Sequence, residues 1–229
     1  MDPKVNPFAP GAGSQPPELA GRDGILSAAG VALARIKNRK PSKSMILVGL
    51  RGVGKTVLLN RIWEAAKDDG YRAVLTEAHE EKRLSELLIP PLRQILFSLD
   101  AMENVSDKVK RGFRVLSSFV RGLKLKVSDI EISVDPELGS ADSGDLESDL
   151  GELFVAIGEA AADRDTAVAI CVDELQYLDE KELSALIMAI HRIISEIFRW
   201  FSLVPDCPRL LALRENRSHT LSDCLTSRQ

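Results

Sequence analysis

Eight consecutive residues, Gly49-Leu50-Arg51-Gly52-Val53-Gly54-Lys55-Thr56, set three glycines, an ammonium and a hydroxyl at the spacing G-x-x-x-x-G-K-[ST]. Glycines let a backbone curl until successive N–H groups converge on an anion with no Cβ in the way. In such a loop Lys55 supplies a point charge for the β- and γ-phosphates of a polyphosphate, and Thr56 supplies a hydroxyl for Mg²⁺. Far downstream, the apolar run Ala167-Val168-Ala169-Ile170-Cys171-Val172 ends in two carboxylates, Asp173 and Glu174. The first suits a Mg²⁺ ion held through its water shell. The second suits a general base that polarises a water for attack on a γ-phosphate.

Each of these groups needs an element to aim it. Met45, Ile46, Leu47 and Val48 form a short apolar run that predicts a buried strand before the glycines. Leu58, Leu59, Ile62, Trp63 and Ala66 recur at helical spacing after them. Strand, glycine loop and helix is the setting of the phosphate-binding loop in P-loop NTPases, with the positive end of the helix turned to the phosphates. The run ending at Asp173-Glu174 matches the Walker B pattern of the same proteins. In an open parallel sheet both motifs lie at the carboxyl ends of strands, where ligands bind.

The rest of the chain predicts a scaffold of alternating elements. A helix is expected over residues 24–36, then a basic connector, Lys37-Asn38-Arg39-Lys40-Pro41-Ser42-Lys43. A second strand is expected over 73–76. Leu84, Leu87 and Leu88 open a helix that Pro90-Pro91 should interrupt, and Leu92, Ile95, Leu96 and Leu99 resume it. Val105, Val109, Phe113, Leu116 and Val120 mark one face of another helix. Residues 123–134 alternate about Ser128-Asp129 as a hairpin would, and 135–144 form a polar loop. Asp145 is a candidate N-cap for the helix carrying Leu146, Leu150, Leu153, Phe154 and Ile157. Asp179, with Glu182 three residues on, has the spacing of a capping box. Gln176 and Tyr177 fit either the site or a surface loop, and His191 fits a packed position beside an apolar stripe.

With 229 residues, 45% of them hydrophobic, the chain has enough apolar material for one sizeable core. A net charge of −4 gives no global support for nucleic-acid binding. No apolar stretch is long enough to span a bilayer, and the N-terminus lacks a secretory signal pattern. Cys171, Cys207 and Cys224 show no metal or redox spacing, and the odd count fits a cytoplasmic setting. Cys171, inside an apolar run, is expected to be an inert core thiol.

Pro16-Pro17-Glu18-Leu19-Ala20-Gly21-Arg22-Asp23 resembles the short box that precedes the phosphate loop in origin-recognition-like AAA-type ATPases and their bacterial relatives. The resemblance covers roughly residues 18–196. It implies that Leu19, Ala20 and Gly21 flank an adenine. It also implies that Gly49, Gly52, Val53, Gly54, Lys55 and Thr56 hold the phosphates, that Thr56 and Asp173 serve Mg²⁺, and that Glu174 and Lys55 act in catalysis. The cofactors it implies are ATP and Mg²⁺. The fold it implies is α/β, a P-loop three-layer sandwich around a parallel sheet, with a helical and hairpin insert at about 84–144.

Beyond Glu196 the family pattern is lost. No polar sensor 1 strand, arginine finger or helical lid is recognisable, so the fold is expected to be incomplete. The expected organisation is a flexible arm (1–17), a partial nucleotide-binding core (18–196) and an aberrant tail (197–229). Regrouping plausible codons lets residues 197–210 be read as Leu-Pro-Met-Val-Leu-Val-Gly-Ala-Gly-Leu-Pro-Gln-Ile, similar to a sensor 1 strand and its glycine turn. The expectation is therefore a single-base deletion near Glu196, which sequencing of the gene would check. Trp200 to Val204 is nonetheless apolar enough to occupy the vacated central slot. ATP binding is expected, with hydrolysis impaired; a non-hydrolysing nucleotide switch and a relic that does not fold are the rival readings.

Overall fold

The computed structural model describes residues 21–47, 54–101, 106–124, 135–195 and 200–205. Four parallel strands form one sheet: β1 (Met45–Leu47), β2 (Arg72–Glu77), β3 (Val168–Asp173) and β4 (Trp200–Pro205), in the order β1-β4-β3-β2. Around them lie α1 (Asp23–Lys37), α2 (Lys55–Asp68), α3 (Leu84–Asp100), α4 (Asp107–Gly122), α5 (Leu146–Asp163) and α6 (Glu180–Ser195). Among the described residues no helix is long and apolar enough to cross a membrane.

β3 explains the layering. All six of its residues are buried, which is why its sequence is continuously apolar rather than alternating. Its side chains still alternate between faces. Val168, Ile170 and Val172 join the core built with α3, α4, α5 and α6. Ala167, just before the strand, joins Ala169 and Cys171 in a second core with α1 and α2. The result is helix, sheet, helix, with α4 stacked behind on α3 and α5.

One expectation is corrected and one is met. The first concerns Pro90 and Pro91, which do not interrupt α3; the helix runs through them for 17 residues. Leu84, Leu88, Ile89, Leu92, Ile95, Leu96 and Leu99 are each no more than 3% exposed. Burying one such side chain contributes about 1.5–3 kcal/mol, so the set outweighs a cost of roughly 3 kcal/mol per interior proline. Pro90 itself is exposed, and the Glu86 carbonyl that it cannot pair belongs to an exposed residue within reach of water.

The second concerns the central slot. No sensor 1 strand is recognisable for this position, and the apolar run from Trp200 to Val204 reads as able to take it; Trp200–Pro205 forms β4 between β1 and β3. The run is apolar apart from Ser202. It pairs along Met45–Leu47 and Val168–Cys171, edges that would otherwise carry unpaired ladder groups. Residues 206–229, residues 1–17 expected as an arm and residues 125–134 of the expected hairpin lie outside the described residues.

One carboxylate joins two helix starts. The Glu182 N–H donates to Asp179 Oδ1 at 2.8 Å and the Asp179 N–H donates to Glu182 Oε2 at 3.2 Å, closing the expected capping box. The other oxygen, Oε1, accepts from the Leu84 N–H at 2.9 Å, at the first residue of α3. Glu182→Ala removes acceptors from both helix starts. It is expected to cost about 1–2 kcal/mol, seen as a lower urea midpoint with an unchanged m-value. An unaltered midpoint would show the bridge to be dispensable.

Candidate functional site

Asp173 is the last residue of β3 and only 7% exposed. Its position is fixed from three sides. Its carbonyl accepts from the Ala78 N–H at 3.0 Å, which ties it to the end of β2. Oδ1 accepts from the Glu174 N–H at 2.9 Å. Oδ2 accepts from the Thr56 hydroxyl at 2.7 Å, a bond spanning 117 residues of sequence. Thr56 is the second residue of α2, so this bond brings the start of that helix to the tip of β3.

Gly54 makes the start of α2 possible. It is the N-cap, at φ 83° and ψ 24°, a left-handed conformation that an L side chain resists. Its carbonyl accepts the first helical bond, from the Leu58 N–H at 3.0 Å. The next residue, Lys55, is half-buried and opens the helix. The first N–H groups of a helix have no intrahelical acceptor, and the helix dipole adds partial positive charge there. Cation, helix start and hydroxyl therefore lie at one end of α2, against the carboxylate of Asp173.

The donor set suits Mg²⁺. A hydroxyl and a carboxylate held 2.7 Å apart are hard oxygen ligands. Mg²⁺ commonly takes only one or two ligands from a protein and completes its shell with phosphate oxygens and water.

Glu174 turns the chain away from the sheet. It has φ 54° and ψ 37°, an uncommon conformation for a residue other than glycine and one that clusters at functional sites. One 3₁₀ turn, Leu175–Tyr177, follows. Leu175 and Leu178 are 1% and 0% exposed and anchor the turn on both sides. Glu174 is half-buried as a residue, and its carboxylate accepts a hydrogen bond from the Gln176 side-chain amide. The residue types alone left Gln176 equally fit for the site or a surface loop. What decides it is the tight turn, whose spacing of two brings the amide back onto the carboxylate.

Of the other candidate residues, Gly21 forms a turn at φ 76° just before α1, in the layer that packs on α2. Leu19, Ala20, Gly49, Gly52 and Val53 lie outside the described residues. On the other side of Asp173, continuing the β3–β4 register by two residues sets Pro205 level with it; Pro205 is itself paired with Leu47 of β1.

Cys171, two residues before Asp173, is buried, and desolvation pushes its thiol up to about 12. This agrees with an inert core thiol. The fold favours the protonated form, so this contribution to stability is complete below the ordinary value of 9.0 and is lost as pH rises towards 12. Over that window wild type should lose about 1.4 kcal/mol per pH unit relative to Cys171→Ala. Parallel alkaline melting curves for the two proteins would contradict this.

A parallel sheet with a glycine-capped helix whose start is bonded to an acidic strand tip defines a P-loop nucleotide-binding α/β domain. A family model described as the AAA ATPase domain matches residues 18–196, and the chain belongs to that family. A search of curated proteins gives no match. The chain is thus a nucleotide-binding domain of AAA ATPase type, and the matched span has the bounds of the resemblance drawn from its motifs.

Proposed function

We propose that this domain binds Mg-ATP between the start of α2 and the tip of β3, and turns it over slowly. The observation that carries the reading is the Thr56–Asp173 hydrogen bond, which joins the two halves of a triphosphate–magnesium site. In this reading the amides of residues 49–54 and the Lys55 ammonium hold the phosphates. Thr56 and Asp173 hold Mg²⁺, which when bound shields charge on the phosphates. Glu174 orients a water and accepts its proton as the water attacks the γ-phosphate in line, the bond to the β–γ bridging oxygen breaks and ADP leaves. Leu19, Ala20 and Gly21 flank the adenine, as the origin-recognition-like character of residues 16–23 suggests.

Slow turnover follows from what stands beside Asp173. Proline has neither an N–H nor a polar side chain, so Pro205, level with Asp173, offers no donor to the attacking water or the γ-phosphate. Orientation of the water then rests on Glu174. The family match stops at residue 196, which supports the reading that the sequence leaves the family pattern there. The same proline favours one alternative, a switch that binds ATP without hydrolysing it. Sustained phosphate release above the level of Lys55→Ala excludes that alternative.

Binding is tested by following thermal unfolding during a Mg-ATP titration. A ligand present at a hundred times its Kd stabilises the folded state by about 2.7 kcal/mol. The unfolding temperature should climb with nucleotide and fall back when Mg²⁺ is chelated. A constant unfolding temperature up to millimolar Mg-ATP would overturn the proposal.

A further inference from the structure

We propose that Gln176 is the residue that positions Glu174 for its work on the attacking water. The proposal rests on the Mg-ATP reading above and extends it to a residue outside the acidic pair.

The argument begins with the backbone. Glu174 leaves the strand in a left-handed conformation, so its side chain is no longer aimed by the ladder that fixes Asp173. A glutamate has three side-chain torsions, and a half-buried one keeps much of that freedom unless something holds its end. General-base catalysis needs the carboxylate within hydrogen-bond reach of one water, in one orientation. Some group must therefore supply the constraint that the strand does not.

Gln176 is built to do so. Leu175 and Leu178 are both buried, and the Tyr177 N–H donates to the Glu174 carbonyl at 3.1 Å, so the turn between them is pinned. Within that turn the Gln176 amide donates to Glu174 Oε2. Occupying one oxygen with a neutral donor leaves the other, Oε1, as the acceptor for water. An amide suits this task better than a charged donor. A lysine or arginine would form an ion pair with the carboxylate and compete with its role as a base. Gln176 is exposed, so burial in a core does not account for its contact.

The test compares wild type with Gln176→Leu, which keeps a side chain of comparable bulk and removes the donor, alone and combined with Glu174→Gln. Nucleotide Kd and unfolding temperature should stay within about twofold and about two degrees of wild type, while kcat falls by roughly tenfold. In the Glu174→Gln background the second substitution should have no further effect, because the group it positions is gone. An unchanged kcat in Gln176→Leu overturns the proposal, and so does an equal further fall in the double variant. If wild-type turnover does not exceed that of Lys55→Ala, affinity for Mg-ADP–aluminium fluoride relative to Mg-ADP becomes the readout. Gln176→Leu should lower that ratio about tenfold, and an unchanged ratio overturns the proposal. Failure of the Mg-ATP reading itself is distinct: wild type would then bind no nucleotide at all.

Discussion

Glu174→Gln should bind Mg-ATP as wild type does and release phosphate about 10²–10⁴-fold more slowly. Glutamine keeps the length and shape of the side chain and can still accept a hydrogen bond from water, but it cannot take up the proton. The backbone there is already left-handed with a full side chain (φ 54°), so the change asks nothing new of the turn. The loss falls on the chemical step, and the signature is an unchanged Kd with a collapsed kcat. The measurement is phosphate release at saturating nucleotide, set against Lys55→Ala as the background. A variant that still cycles at the wild-type rate would remove Glu174 from the mechanism.

Lys55→Ala should fail at the earlier step. A hydrogen bond to a charged group is worth about 1.5–3 kcal/mol, or roughly ten- to a hundredfold in Kd, and the phosphates lose their nearest cation as well. The rise in unfolding temperature with Mg-ATP should therefore shrink or vanish. Melting both proteins without nucleotide separates a lost ligand contact from a lost fold. Lys55 is the first residue of α2, where a positive charge opposes the helix dipole and alanine does not. If Lys55→Ala gained as much from Mg-ATP as wild type does, the phosphates would have to lie elsewhere, and the glycine loop would be an ordinary turn.

Most of this arrangement was legible in the residues because it rests on local signals. Gly54 before Lys55, the apolar run into Asp173, and the Asp179–Glu182 spacing each specify a short piece of backbone, and each piece has the expected conformation. The helices up to α6 follow the same logic, because an apolar face dictates their period, and β3 was legible instead as a continuous apolar run. What escaped were effects that depend on a neighbour distant in sequence. The two prolines of α3 lose their breaking power only because a continuous core lies beneath the helix. The apolar run from Trp200 to Val204 marks a candidate for the central slot, but its pairing there depends on β1 and β3 flanking one gap, which a local window does not specify. Gln176 stays open between site and surface for a different reason: its contact with Glu174 is local, but it depends on the left-handed backbone of Glu174, which the residue types do not specify.

The strand order also sets a timetable for assembly. Among the described strands β1 pairs only with β4, and β2 with β3, so neither partnership forms until most of the polypeptide has been synthesised. α3, α4 and α5 have nearby partners in sequence and can gather early, as low-contact-order segments do. The nascent phosphate-loop strand, by contrast, waits until residues 200–205 emerge. Until then, the growing chain carries unmatched ladder groups on both sides of a gap, the kind of intermediate that chaperones exist to shelter.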